Sequence, residues 1–277
     1  MKIILRLVLI SLAIFIPVFS FGFEVGNIIS VVSLLFAILA GFFIAATTSN
    51  YLQHQSLIAL ENAQLITIAQ LVNKVDPDNF KTVAKAIDDY LIATLDYDLL
   101  TYHQGTQHEF DQLFLAIDKV NPGTGPQASL YQNLHSAKAA LLATWQETRL
   151  TAQTIVGPLH WLIIGSLALL TSLLLLSLRD GSFLAGLITG VLILGVFEVL
   201  ELIHTIDTNV FLATKLSYES PQQVFAALNK PNYYPEFVIA RKRKLGLLPS
   251  VYRVGLYKGS DATGRKVIKT IGSPKRK

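Results

Sequence analysis

Cysteine is absent from the 277-residue chain, which excludes disulfide bonds, thiolate catalysis and zinc sites with cysteine ligands. Charged residues are scarce and make up 15% of the chain. A soluble protein would carry about 25%. The sequence also lacks a Walker loop, a dinucleotide-binding glycine fingerprint, a zinc-protease motif and a nucleophile elbow. We therefore expect neither an enzyme nor a bound cofactor.

Long apolar segments dominate the sequence. Hydrophobic residues make up 52% of the chain, and four apolar segments occur at residues 3–23, 28–46, 155–178 and 183–197. The hydrocarbon core of a bilayer is about 30 Å thick and requires roughly 20 apolar residues in a helix. Because lipid cannot pair with exposed backbone groups, these segments are expected to be helical. The prediction is an all-α integral membrane protein with four transmembrane helices in two hairpins.

The hairpins divide the chain into five regions. These are a transmembrane hairpin, a cytoplasmic helical region, a second transmembrane hairpin, a connector and a basic cytoplasmic tail, at residues 1–48, 49–153, 154–208, 209–235 and 236–277. The tail holds twelve Lys and Arg against two acids, and such basic charge favours the cytoplasmic side. The charges therefore predict a multi-pass protein of the inner membrane with both termini in the cytoplasm. Arg179 is an exception, because it lies in a turn that this orientation places outside the cytoplasm. For the first apolar segment, the alternative to a membrane span is a cleaved signal peptide.

The central region has the apolar spacing of helices. This spacing predicts a helix that continues out of the second span, a break at Asp76-Pro77-Asp78 and a further helix after it. A shorter helix around residues 110–117, a loop at residues 121–126 and a helix that runs continuously into the third span follow. The prediction is a helical stalk without an attached globular enzyme.

The connector and the tail have a different pattern. The connector is rich in turn residues, whereas residues 251–257 and 266–271 alternate like two strands of a small β-hairpin. A basic run lies before them at Arg241, Lys242, Arg243 and Lys244. Such a run attracts anionic lipid headgroups. The alternative is that its charge only fixes the orientation of the protein in the membrane. We expect lipid headgroups rather than nucleic acid as its partner, because the tail is tethered beside the membrane.

Small residues recur every four positions in two of the spans. They are Ser33, Ala37, Gly41 and Ala45 in the second span, and Gly186 and Gly190 in the fourth. At this spacing they form a flat stripe that lets two helix backbones approach closely. We therefore predict that the second and fourth spans pack together.

Several segments resemble the bacterial bestrophin-like membrane proteins. They are residues 36–42, the continuation through residues 50–51 to 61–63, and residues 197–201 at the end of the fourth span. The resemblance covers roughly residues 30–228 and leaves out the basic tail. Bestrophins themselves are oligomeric anion channels in which the second span lines a hydrophobic neck. The resemblance thus implies a homo-oligomer, an anion as ligand and an ion path along the second span. The calcium-binding acidic clasp of bestrophins has no counterpart in this sequence.

Two groups of residues are candidates for an ion path. In the second span, Phe36 and Phe43 lie on the side opposite the small residues and lead to Thr47 and Asn50. This side fits lipid, another subunit or a pore. Glu61 follows on the same helix, where a carboxylate must pair, lose its charge or face water.

The end of the fourth span carries the second group of candidates. Glu198, Glu201, His204 and Asp207 recur at three-residue steps. Glu201 and His204 form a Glu-x-x-His spacing known from metal sites in helical bundles, but no second such motif is present. We expect no metal, and we interpret Glu198 and Glu201 as groups facing the bundle or an aqueous vestibule.

Two functions fit these observations. The first is an oligomeric anion channel whose helical stalk shapes a cytoplasmic vestibule. The second is a membrane-anchored scaffolding or interaction protein with a lipid-binding tail. No polar stripe runs through a span, which favours the second function, but a hydrophobic neck has the same appearance in sequence.

Overall fold

The computed structural model describes residues 2–18, 21, 25–96, 105–122, 124–152, 154–208, 220–244, 248–257 and 266–272. The helices are α1 (Lys2–Phe15), α2 (Val25–Val75), α3 (Pro77–Asp96), α4 (Gln107–Asp118), α5 (Pro126–Thr151), α6 (Pro158–Ser177), α7 (Phe183–Asp207), α8 (Ser220–Ala227) and α9 (Glu236–Lys244). The strands are β1 (Asn232–Pro235), β2 (Tyr252–Tyr257) and β3 (Lys266–Ile271). Within these ranges, α2, α6 and α7 are long and apolar enough to cross a membrane.

The chain divides into two compact units. The membrane unit comprises Met1–Leu52 and Thr154–Phe211, and the helical unit comprises Gln53–Gln153 and Leu212–Lys277. Each unit combines an earlier part of the sequence with a later one and has its own cluster of buried apolar side chains. The five regions drawn from the sequence stay a prediction.

The first apolar segment forms a shorter helix than its hydropathy predicts. α1 ends at Phe15 and has 14 residues, which corresponds to a length of about 21 Å. Pro17 lies two residues beyond the helix end, and the residue before a proline disfavours helical geometry. The apolar run to residue 23 is therefore not one uninterrupted helix.

The helix predicted to run continuously into the third span is also interrupted. α5 ends at Thr151, and the N–H of Ala152 donates to the carbonyl of Thr148. α6 begins only at Pro158, because proline has no N–H and fits the first turn of a new helix. In contrast, α2 continues for 51 residues out of the second span, as predicted.

Asp76 separates α2 from α3. Its carboxylate accepts hydrogen bonds from the backbone N–H of Asn121 at 2.9 Å, the side-chain amide of Asn79 at 2.6 Å and the Asn79 backbone N–H at 3.3 Å. These donors, the Asn121 N–H first, lower the pKa of Asp76 because they stabilise its ionised form. The predicted break between the two helices is confirmed. The Asp76 carboxylate also connects the start of α3 to the loop after α4.

An aromatic cluster lies in the core of the helical unit. The rings of Phe110 from α4 and Trp145 from α5 stack at a centroid distance of 4.6 Å. Tyr90 from α3 lies 5.5 Å from Phe110. All three side chains are at most 5% exposed. Ring contacts thus join three helices. The sequence predicted each of these helices from its own apolar spacing but did not predict the contacts between them.

The C-terminal part of the helical unit contains a three-stranded sheet. The predicted hairpin is confirmed: β2 pairs antiparallel with β3. The sequence predicted a connector rich in turns. The structure shows that it also contains the helix α8 and the strand β1. β1 pairs in parallel with β2, and α9 lies between these strands in the chain. Long-range pairing with β2 makes a strand of Asn232–Pro235, a segment whose local composition favours turns.

Candidate functional site

Arg6 of α1 contacts two of the acidic candidates in the membrane unit. A terminal nitrogen of its guanidinium donates a hydrogen bond to Oε2 of Glu198 at 2.8 Å, and its Nε lies 2.6 Å from Oε1 in an ion pair. Glu201 lies 3.9 Å from the same group. A hydrogen bond between two charged groups is stronger than one between neutral groups. One arginine and two glutamates therefore join α1 to α7.

Arg179, between α6 and α7, binds the other end of α1. Its guanidinium donates to the backbone carbonyls of Ala13 and Ile14, at 3.1 Å for Ile14. The last carbonyls of a helix have no partner within the helix, and a cation there also interacts favourably with the helix dipole. Arg179 is 7% exposed. Its position, which the charge pattern did not explain, has a structural reason: it caps α1.

Gly186 and Gly190 of α7 face the C-terminal half of α1. A Cβ atom at Gly186 would lie 3.1 Å from the Cα of Ile14, and one at Gly190 would lie 3.1 Å from the Cα of Ile10. These glycines therefore permit close approach of α1, not of α2. The predicted pairing of the second and fourth spans through these small residues is wrong, because the short first helix fills this groove.

The two sides of α2 have different environments within the membrane unit. Phe36 and Phe43 are 7% and 5% exposed and join a cluster with Ile164 and Ala168 of α6. The ring of Phe43 lies edge-on to that of His160 at 5.4 Å. The assignment of Phe36 and Phe43 to an ion path stays a prediction, since in the single chain both are buried in this cluster.

The small residues of α2 lie on its other side. Ala37, Gly41 and Ala45 are exposed, and Ser33 is partly buried. A Cβ atom at Gly41 would meet nothing within 4 Å. Large exposed side chains of the same helix accompany them, namely Val31, Leu34, Leu35, Ile38 and Phe42. Among the residues that the structure describes, nothing covers this side of α2.

Thr47 and Asn50 follow the apolar part of α2. Thr47 is 2% exposed, and its hydroxyl donates to the Phe43 carbonyl at 2.7 Å. Asn50 is partly exposed. The hydroxyl of Thr47 is therefore satisfied within its own helix, and its part in an ion path also stays a prediction.

Glu61 is buried in the helical unit and paired with a neighbouring helix. It is 5% exposed, and the phenol of Tyr90 from α3 donates a hydrogen bond to its carboxylate. The next residue, Asn62, donates to the hydroxyl of Ser220 at 2.9 Å. The partner of Glu61 is thus a tyrosine that no sequence pattern indicated.

Asp207, at the end of α7, positions the start of the third span. Its carboxylate accepts hydrogen bonds from the backbone N–H groups of Ile155 at 2.7 Å and Val156 at 3.2 Å. His204, one turn earlier, lies edge-on to Trp161 at 5.8 Å. In the part of the chain that the structure describes, no group of three His, Asp or Glu side chains is arranged to hold a metal.

The basic run of the tail lies on α9. Arg243 is exposed, and the ammonium of Lys242 lies 4.6 Å from the centre of the Tyr234 ring. The side chains of Arg241 and Lys244 are outside the described part of the chain. Lipid binding by this run stays a prediction.

The apolar helices α2, α6 and α7, with the ion pairs that join α1 to α7, define an α-helical membrane protein. The model of the Bestrophin-like domain matches residues 7–208, which is more than half of the chain. The protein therefore belongs to the bestrophin-like family, as its sequence segments indicated.

Two solved structures are similar to the chain. Each is described as a crystal structure of a membrane protein that carries one alanine substitution. One has a TM-score of 0.59 at 11% identity, and the other has a TM-score of 0.56 at 12% identity. Both comparisons cover 83% of this chain and 98% of the other, and they show a shared fold. No functionally curated protein matches the chain.

Proposed function

We propose that the protein is a homo-oligomeric anion channel. The observation that carries this proposal is the open side of α2, where Ala37, Gly41 and Ala45 are exposed in a domain of the bestrophin-like family. Small residues on a membrane helix allow close contact with another helix. A second copy of the chain can therefore pack against this side, and a ring of copies encloses an axial path.

The proposal includes four membrane crossings in the cytoplasmic membrane, with both termini and the central region inside. The three long apolar helices support it, together with the basic charge of the tail. α1 alone is too short for a crossing, so the first crossing also needs the apolar residues up to 23.

Single cysteines test these crossings directly, because the chain has none of its own. We expect Gln127→Cys and Lys277→Cys to react with a membrane-impermeant thiol reagent from one side only, and Gly26→Cys from the other. Oriented vesicles that exclude the reagent provide the measurement. Reaction of Gln127→Cys and Lys277→Cys from opposite sides contradicts the four crossings.

We assign the hydrophobic neck of the path to Phe36 and Phe43 on α2. Both are buried in a cluster with side chains of α6 and α7 in the single chain, so this assignment requires that α2 rotates or separates from this cluster in the assembly. Thr47, Asn50, Glu61, Glu198 and Glu201 are then candidates for the polar cytoplasmic entrance.

Chloride current in reconstituted bilayers is the test of the channel. We expect Phe43→Ala to change the conductance, and Phe36→Ala likewise, because truncation of an aromatic ring widens an apolar constriction. Phe42→Ala is the matched control, since Phe42 is adjacent but 65% exposed on the other side of α2. Unchanged conductance in both Phe36→Ala and Phe43→Ala would contradict the assignment of the neck to this side of α2.

The alternative is a membrane-anchored scaffolding or interaction protein with a lipid-binding tail. The exposed Arg243 on α9 favours it, because basic residues near a membrane attract anionic headgroups by about 1 kcal/mol each. If this alternative is right, we expect the protein to be a monomer or a closed dimer that conducts no current but still binds vesicles of anionic lipid. A ring-shaped oligomer that conducts chloride would instead support the channel.

A further inference from the structure

An open groove lies between α4 and α5 on the surface of the helical unit. We call it the α4–α5 groove. Its apolar lining comes from both helices, namely Phe110, Phe114 and Leu115 of α4 and Leu142 and Trp145 of α5. Its volume is about 350 Å³, within the range of roughly 300–1,000 Å³ that is usual for small-molecule pockets. None of the ion-path or lipid candidates lines this groove.

The walls of the α4–α5 groove expose apolar side chains to water. Leu115 is 52% exposed and Leu142 is 38% exposed, and they line the groove from different helices. The stacked rings of Phe110 and Trp145 form its floor, since they are only 2% and 5% exposed. A ligand with an apolar body would remove the leucine surface from water, which favours binding.

One end of the groove holds an ammonium group of the protein itself. The ammonium of Lys138 lies 4.8 Å from the centre of the Phe114 ring and 2.5 Å from Oδ1 of Asp118. The Lys138 side chain is only 16% exposed. An aromatic ring attracts an organic cation over its face, and a carboxylate pairs with its charge. This end of the groove therefore binds an ammonium by a ring and a carboxylate together.

The other end of the groove carries the same two kinds of group. Phe110 stacks on Trp145 whereas Phe114 meets Lys138, so α4 and α5 run in opposite directions and Trp145 marks this end. Asp111 follows Phe110 directly and is exposed. Its Oδ1 accepts a hydrogen bond from the side-chain amide of Gln107 at 2.9 Å. Among the residues that the structure describes, no cation pairs with this carboxylate.

We propose that the α4–α5 groove binds a small organic ammonium ion with an apolar body. The ammonium pairs with Asp111, and the apolar body lies against Leu115 and Leu142. Charge complementarity selects the sign of the ligand, because the carboxylates of Asp111 and Asp118 face the single ammonium of Lys138 and leave one negative charge uncompensated. This ligand site is independent of the proposed ion conduction.

The size of the groove favours a small molecule over a partner helix. Asp111 and Asp118 are seven residues apart on one side of α4, which corresponds to about 10.5 Å. A helix is about 10 Å across with its side chains, so a groove of about 350 Å³ cannot hold one. A compact aryl or alkyl ammonium ion fits this length and volume.

Benzyltrimethylammonium has both parts of the proposed ligand, and Trp145 can report its binding. The chain has two tryptophans, so Trp161→Phe leaves Trp145 as the single fluorophore. In this full-length chain, purified in detergent, we expect benzyltrimethylammonium to change the Trp145 fluorescence saturably. Phenylacetate, an anion of similar size, should bind more weakly. No saturable change with the cation, or equal affinity for phenylacetate, overturns the proposal.

Asp111→Asn tests whether the binding takes place in the groove. We expect it to weaken the affinity for benzyltrimethylammonium about threefold, the usual size of effect for an exposed ion pair. Asp89→Asn is the matched control, because Asp89 is a carboxylate with a 47% exposed side chain on α3 that pairs with Lys85 and does not line the groove. Equal affinities in the two variants, as expected if the probe enters only the detergent, overturn the proposal.

Leu115→Ala tests the apolar part of the site without a change of charge. Truncation of this side chain removes apolar surface that the bound ligand covers, so we expect the affinity for benzyltrimethylammonium to fall by about threefold. Leu150→Ala is the matched control, because Leu150 is 70% exposed on α5 and does not line the groove. Equal affinities in Leu115→Ala and Leu150→Ala contradict the placement of the apolar body.

Discussion

Gly190→Leu is expected to displace α1 from α7 and to destabilise the membrane unit by about 3 kcal/mol, the upper part of the range for overpacked sites. A Cβ atom alone would lie 3.1 Å from the Cα of Ile10 and 3.3 Å from the side chains of Ile10 and Ala13. The backbone of α1 cannot rotate away as a side chain can. Displacement of α1 also breaks the pair between Arg6 and Glu198. The measurement is thermal unfolding in detergent.

Gly195→Leu provides the matched control on the same helix. A Cβ atom at Gly195 would meet nothing within 4 Å, so this variant should unfold at the native temperature or slightly above it. Equal unfolding temperatures for Gly190→Leu and Gly195→Leu would mean that close approach of α1 does not stabilise the protein.

Trp145→Ala is expected to destabilise the helical unit by about 3–5 kcal/mol, the usual cost of truncating a buried tryptophan. Trp145 is 5% exposed and stacks on Phe110, so its loss leaves a cavity where α4 meets α5. Because Trp145 is one of only two tryptophans in the chain, unfolding should be followed by circular dichroism and hydrogen exchange rather than by fluorescence.

Leu150→Ala is the control for this substitution. Leu150 is on the same helix but 70% exposed, and its truncation should cost much less than 1 kcal/mol by the usual behaviour of surface sites. A Trp145→Ala variant as stable as Leu150→Ala would show that the aromatic cluster is not the core of this unit.

The sequence predicted those features that depend on the local pattern. Hydropathy predicted α2, α6 and α7 as apolar helices, because a long apolar run has no other way to satisfy its backbone in lipid. Asp76-Pro77-Asp78 predicted the break before α3, since the capping side chain and the proline act on adjacent residues. Alternation predicted the β2–β3 hairpin. Segments at residues 36–42 and 197–201 indicated the family.

The candidate site was predicted only in part. The sequence singled out Glu61, Glu198 and Glu201, because a carboxylate in an apolar helix needs a partner. It did not indicate Arg6 or Tyr90 as those partners, since both are distant in the chain. Arg179 was noted only as an exception to the charge pattern. A cation just after α6 would have indicated a cap of α6, but Arg179 instead donates to the last carbonyls of α1, which is distant in the chain.

The amino-acid sequence by itself determined the apolar helices, their breaks, the hairpin and the family, because neighbouring residues carry all of that information. Tertiary structure decided which surfaces meet: Gly186 and Gly190 pack against α1 and not α2, and Asp88 is buried against Arg253 and Lys230 while Asp89 remains exposed. The physical reason is that a stripe of small residues or a single carboxylate specifies the kind of contact a helix can make. Which partner makes that contact depends on segments more than a hundred residues away.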